Sequence, residues 1–112
     1  MNVRVETVEG ARVVVPEGRL DFGAATGFQA QLEQAIADAG QAGAPVVIDC
    51  NALDYVSSAG LRVFLLAARE TQRRKLKFSL CALKPAVREV FELSGFTRII
   101  AVHADRAAAL AH

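Results

Sequence analysis

Apolar and polar residues alternate through Val3-Arg4-Val5-Glu6-Thr7-Val8, the pattern of a strand with one face buried. Glu9-Gly10 supplies a turn into Ala11–Val15, so the chain opens with an antiparallel hairpin. Pro16 cannot donate to a sheet ladder. That predicts either an edge position there or a bulge before Gly18-Arg19-Leu20-Asp21. Phe28, Leu32, Ala35, Ile36 and Ala39 then recur at helical spacing, with Gln29, Gln31, Glu33 and Asp38 on the other side. This is an amphipathic helix covering one sheet face, starting either with Asp21 as its cap or at Ala24. The loop Gly40–Pro45 ends it, and Val46-Val47-Ile48-Asp49-Cys50 follows as a continuous β-rich run, expected as a central strand buried on both faces,.

From about Ser58 to Arg74 the period is helical again, and Leu61, Val63, Phe64, Leu65 and Leu66 predict a largely buried first half,. Arg69, Arg73, Arg74 and Lys75 at its far end suit the negative end of a helix dipole,. Phe78–Leu83 reads as a strand. Pro85 fits the first turn of a third helix whose buried stripe is Val87, Val90 and Phe91,. In Leu93-Ser94-Gly95-Phe96, Gly95 can take the left-handed conformation that stops a helix, and Phe96 can fold back on Phe91,. Arg98–Val102 is the last predicted strand, and Asp105–Leu110 a short terminal helix. The order predicts one α/β domain over residues 1–112, with a mixed central sheet of about five strands, an N-terminal antiparallel hairpin and about four helices.

Composition narrows the function classes. A chain of 112 residues that is 53% hydrophobic can bury a core of its own,. Its formal charge of +1 gives no strong field for nucleic acid or an anionic membrane,. The basic run from Arg69 to Lys75 reads as a solvated helix end. Cys50 and Cys81 lack the spacing of a disulfide framework or a zinc site and are expected as reduced core residues,. The first residues lack the apolar stretch of a signal peptide, and no apolar segment is long enough to span a bilayer. A cytoplasmic protein without membrane insertion is expected.

Chemistry concentrates at Leu53-Asp54-Tyr55-Val56-Ser57-Ser58-Ala59-Gly60-Leu61-Arg62, where an apolar strand stops, two hydroxyls follow and a long helix begins. A nucleophilic serine needs an activating base. The only imidazoles are His103, expected at a strand end, and His112, expected as a free end. Nor is there a Gly-x-Ser-x-Gly elbow, a phosphate-binding glycine loop or metal-ligand spacing, so neither a catalytic role nor a cofactor is expected. Two readings of the serines remain open. One of them is an N-cap accepting a backbone hydrogen bond, and one of them is an acceptor whose phosphate the helix N-terminus tolerates.

These residues resemble a STAS domain, the sulfate-transporter and anti-sigma-antagonist family, and more narrowly a bacterial anti-sigma factor antagonist. The likeness rests on Gly18-Arg19-Leu20-Asp21, Val46–Cys50 followed by Leu53-Asp54-Tyr55-Val56, Ser57-Ser58-Ala59-Gly60-Leu61 and Leu93-Ser94-Gly95-Phe96. It covers almost the whole chain. The resemblance implies a switch that is not an enzyme. The unphosphorylated antagonist binds a serine kinase of the histidine-kinase-like ATPase fold, which doubles as anti-sigma factor. Phosphorylation releases it, and a PP2C-type phosphatase restores it. Family members commonly read Asp-Ser-Ser/Thr-Gly at the turn. Here Ser57 stands in place of the Asp, Ser58 is the implied acceptor with Ser57 as the alternative, Ala59 replaces the second hydroxyl, and Gly60 matches. Asp21, Tyr55, Ser57, Ala59, Gly60 and Arg62 are expected to border the docking surface around Ser58. Tyr55 also has a plain reading as a strand-end packing residue, and Gly60 as a site of close packing. The competing functions are an accessory subunit of a lipid-transport ABC system without a phosphoswitch, and an unmodified interaction domain.

Overall fold

A computed structural model describes residues 1–112. The hairpin forms as the alternation predicts: β1 (Asn2–Val8) pairs antiparallel with β2 (Ala11–Leu20). Glu9 and Gly10 between them both have positive φ, 49° and 82°, the two-residue turn whose twist matches the strands it joins. β2 continues for ten residues through Pro16, so Pro16 lies neither at an edge nor at a strand end. The reason is a change of partner. Parallel to β2 on its second side lie β3 (Val46–Asp49), opposite Arg12–Val14, and β4 (Leu53–Val56), opposite Gly18–Leu20. Arg12 and Gly18 both send their N–H toward that side, to Pro45 O and Ala52 O. By the two-residue period of a strand, the missing donor of Pro16 falls in the gap between the two partners. An irregularity of register is present, but between Gly18 and Arg19 rather than before Gly18.

Beyond β3 the sheet continues in parallel with β5 (Phe78–Cys81) and β6 (Ala101–His103), in the order β1-β2-β3-β5-β6. Six strands form where the pattern suggested about five. The additional one is β4, in which Leu53 and Val56 are buried while Asp54 and Tyr55 between them are exposed, a signal too short to separate from the turn it leads into. The last strand is shorter and later than expected, because Phe96–Arg98 form a 3-10 turn. β5 likewise stops at Cys81, since Ala82 has a positive φ of 59°.

Four helices complete the domain: α1 (Phe22–Ala42), α2 (Ser58–Arg73), α3 (Pro85–Leu93) and α4 (Arg106–Ala111). α1 does not end at Gly40. It runs to Gly43, whose φ of 62° gives the left-handed cap,. The main core gathers α1, α2 and α3 over the sheet around a chain of rings. Phe28 meets Phe64 at 5.7 Å between centroids, Phe64 meets Phe91 at 5.0 Å, and Phe91 meets Phe96 at 6.0 Å. The fold-back of Phe96 is as expected, and Gly95 has φ 80°. α2 is less enclosed than expected. Gly60, Val63, Phe64, Ala67 and Thr71 are buried, but Leu61, Leu65 and Leu66 are only half-buried. A smaller cluster of Val13, Val15, Val47 and Cys81 is covered by Ala109 of α4. Arg106 holds that helix down by donating to Asp49 Oδ2 at 2.9 Å and Glu6 Oε2 at 3.1 Å.

β3 is buried throughout, as the run predicts. Cys50 and Cys81 are buried and free. Burial pushes both thiols up, Cys81 to about 11 and Cys50 well above its ordinary value. His103 closes β6, but His112 is not a free end: its ring stacks on His103 at 4.9 Å and its backbone oxygen accepts from Lys77 Nζ at 3.1 Å. No helix is long and apolar enough to cross a membrane.

Candidate functional site

β2 and β4 are neighbouring parallel strands, and a helix leaves the carboxyl end of each. Two helix N-termini therefore lie side by side at one end of the sheet, the usual place for sites in α/β folds. Both are built alike. Asp21, with φ −87° and ψ −176°, is the N-cap of α1, and its Oδ1 accepts from the Ala24 N–H at 3.0 Å. Ser57, with φ −82° and ψ 172°, is the N-cap of α2, and its Oγ accepts from the Gly60 N–H at 3.2 Å. The two serines are thus sorted by geometry. Ser57 is half-buried, donates its own N–H to Leu20 O at 2.9 Å and accepts from Leu61 N–H at 2.8 Å on its carbonyl. Ser58, the first residue inside the helix, is exposed.

Gly60 explains how closely the two ends are joined. A Cβ there would lie 2.7 Å from Leu20 Cγ and 3.1 Å from Leu20 O. No side chain fits without moving the end of β2, so close packing is the reason for glycine. Ala59 is half-buried against the main core. Arg62, one turn further along α2, is exposed.

Tyr55 is 40% exposed rather than packed away, and the Arg19 guanidinium lies 4.2 Å from its ring centre, a cation–π contact at the rim of the turn. Asp54, beside it, pairs with Lys84 at the start of α3. The structure therefore brings Asp21, Tyr55, Ser57, Ser58, Ala59 and Gly60 to the ends of two adjacent strands, with Arg62 on the helix that leads away.

The electrostatics at Ser58 follow from the cap. α2 has no acidic residue in its first turn, and its cap is a neutral hydroxyl. The N–H groups of Ser58 and Ala59 have no acceptor within the helix, and the dipole places roughly half a positive charge at this end.

Sequence reasoning missed Phe22, which is 82% exposed as the first residue of α1. A signal existed: Phe22 shares the helical face of Gln29 and Glu33, seven and eleven residues on, rather than the apolar stripe,. It also missed Arg19 and Lys84, whose neighbours come from strands and helices distant in the chain.

Residues 2–109 match the STAS domain family. A relative in Bordetella bronchiseptica, named "Putative anti-sigma factor antagonist BtrV", is 40% identical over 111 residues, covering 99% of this chain and 93% of its own length. The anti-sigma factor antagonist SpoIIAA in its unphosphorylated form superposes with a TM-score of 0.79 at 24% identity, over 97% of this chain and 93% of SpoIIAA. The phosphorylated form of Bacillus SpoIIAA gives 0.72 at 23% identity, over 97% and 96%. With the six-stranded mixed sheet, the capped Ser57-Ser58 turn and a match along nearly its whole length, the chain belongs to the STAS domain family.

Proposed function

We propose that this chain is an anti-sigma factor antagonist whose binding to its partner is switched by phosphorylation of Ser58. The observation that carries the reading is the division of labour between the two serines. The Ser57 hydroxyl is occupied in capping α2, while the Ser58 hydroxyl stands exposed one residue on. The name of the Bordetella relative supports the antagonist role, and SpoIIAA, a protein of the same fold, exists in both a phosphorylated and an unphosphorylated form.

The switch is electrostatic. A phosphate on Ser58 carries about −1.5 to −2 charges at neutral pH. The helix end offsets only about half a charge, and because Ser57 is neutral no carboxylate opposes the phosphate from the cap position. The domain accepts the modification without unfolding, and the remaining charge faces outward from the middle of the docking surface. A partner that dehydrates this surface must bury that charge unpaired, at a cost of several kcal/mol. The partner is a serine kinase of the histidine-kinase-like ATPase fold acting as anti-sigma factor, and a PP2C-type phosphatase resets the switch. Asp21, Tyr55, Ser57, Ala59, Gly60 and Arg62 frame the contact. The chain itself acts by binding and carries out no catalysis.

Titration calorimetry against the kinase tests the reading. Ser58→Ala is expected to bind like the wild type, whereas Ser58→Asp weakens binding by at least about tenfold, or roughly 1.4 kcal/mol. Equal affinities for both variants would remove charge at Ser58 as the switch.

A further inference from the structure

The switch reading leaves Phe22 unexplained. Of the six phenylalanines, Phe28, Phe64 and Phe91 are buried, Phe78 and Phe96 are half-buried, and Phe22 alone stands 82% in solvent. An exposed ring adds almost nothing to the stability of the fold, since hydrophobic stabilisation scales with the apolar area removed from water. Its position is nevertheless fixed. The helix turn that carries it is capped by Asp21 and seated by the buried Ala25, so little backbone freedom is left to lose on docking.

Phe22 and Ser58 occupy equivalent places. Each is the first residue of its helix, directly after a cap that accepts from the third N–H, and the two helices leave adjacent parallel strands. Leu20, two residues before Phe22, touches Gly60 and accepts from Ser57 N–H. An aromatic ring on a rigid element next to the modified position has the character of an interface hot spot, a large apolar group that gains only when a partner removes it from water.

We propose that Phe22 is the apolar anchor of the docking surface, inserting into a nonpolar pocket of the anti-sigma factor. This rests on the reading of Ser58 as the switch and deepens it. Seating the ring requires a dry contact around it, and a phosphate on the neighbouring helix start keeps its hydration shell there. Phosphorylation then acts twice, by its charge and by preventing the anchor from being dehydrated.

Leu93 supplies the control, being 81% exposed as the last residue of a different helix, α3. The test uses the full chain and the purified histidine-kinase-like anti-sigma factor kinase from the same genome, with affinities measured for the wild type, Phe22→Ala, Leu93→Ala, Ser58→Asp and Phe22→Ala/Ser58→Asp. Thermal melting should show Phe22→Ala folded with an unchanged midpoint. Phe22→Leu, which keeps much of the apolar area, guards against a purely local disturbance.

Expected are a loss of at least about tenfold for Phe22→Ala, a smaller loss for Phe22→Leu and no change for Leu93→Ala. The double variant should lose less than the product of the two single losses, because one contact is broken twice. Wild-type affinity in Phe22→Ala overturns the anchor, and so does an equal loss in Leu93→Ala. If Phe22→Ala weakens binding and Ser58→Asp does not, the anchor stands and the switch falls. The reverse pattern leaves the switch and removes the anchor. Absence of binding by the wild type removes both.

Discussion

The starts of α1 and α2 are nearly the same structure with different chemistry. Each follows a strand of the same sheet, each cap has extended backbone, and each cap oxygen accepts from the third N–H of its helix. At α1 the cap is a carboxylate and the next residue an exposed phenylalanine. At α2 the cap is a hydroxyl and the next residue an exposed serine. Asp21 already supplies the anion that a helix N-terminus favours, so that end is electrostatically complete. Ser57 satisfies the hydrogen bond without supplying the charge. The difference shows how one backbone device serves two ends: one is an apolar corner with its own carboxylate, the other has its hydrogen bond satisfied and no anion of its own. It also gives the substitution of Ser57 for the family's customary aspartate a physical meaning. Ser57 still caps the helix through its hydroxyl, but a carboxylate that would oppose a phosphate on the next residue is absent.

The glycines near the two caps should separate the ends most strongly. At Gly60 a methyl group would meet Leu20 Cγ and the Leu20 carbonyl, so Gly60→Ala is expected to destabilise the domain by about 1–3 kcal/mol as overpacking, despite the better helix propensity of alanine. At Gly23, in the first turn of α1, the nearest atom to an added Cβ is Asp21 Oδ1 at 3.6 Å. Gly23→Ala should therefore be neutral or stabilise by up to about 1 kcal/mol. Urea denaturation of the two variants checks both signs, and a stable Gly60→Ala would refute the tight joint between β2 and α2.

The caps themselves come next in size. Ser57→Ala and Asp21→Ala should each cost about 1 kcal/mol, while Ser58→Ala stays within about 0.5 kcal/mol of the wild type, as an exposed surface change does. Equal losses at Ser57 and Ser58 in chemical denaturation would mean that the two hydroxyls share the cap, and the sorting of the serines would fail.

The far end of α2 should give the smallest effect. Glu70 accepts from Arg73 at 2.5 Å and Arg74 at 2.6 Å. Those bonds, that of Arg73 foremost, lower its carboxyl from the ordinary 4.5 to about 2. A lowered folded-state pKa stabilises above the ordinary value and loses that contribution as pH falls toward the lowered one. The gain is accordingly intact at neutral pH and fades between about pH 4.5 and 2. Because the pair is exposed, the effect is screened by solvent and salt. Glu70→Gln should flatten this acid limb slightly in pH-dependent melting and leave partner binding unchanged.

Much of this was legible in the sequence because it depends on local pattern. The hairpin, the amphipathic stripe of α1, the buried run of β3, Pro85 at the start of α3, and Gly95 with Phe96 against Phe91 each rest on residues close together in the chain. The misreadings come from tertiary pairing. Pro16 is tolerated inside β2 only because β3 gives way to β4 beside it, and β4 exists only as a partner of β2. His112 is held by a stack on His103 that no spacing announces. At the site, the sequence offered Ser57 and Ser58 as alternatives. Which hydroxyl caps the helix depends on where the backbone turns helical, and that is fixed by Leu20 receiving Gly60 and the Ser57 N–H. Phe22 and Arg19 come to the same end of the sheet as Tyr55 and the two serines through the adjacency of β2 and β4, which the chain order conceals.

The most direct test is to phosphorylate the protein with its serine kinase and ATP and to locate the phosphate by mass spectrometry, in the wild type and in Ser58→Ala. With Ser57 committed to the cap, all phosphate in the wild type should map to Ser58, and Ser58→Ala should take up none. Phosphate on Ser57, or phosphorylation persisting in Ser58→Ala, would contradict the assignment of the switch.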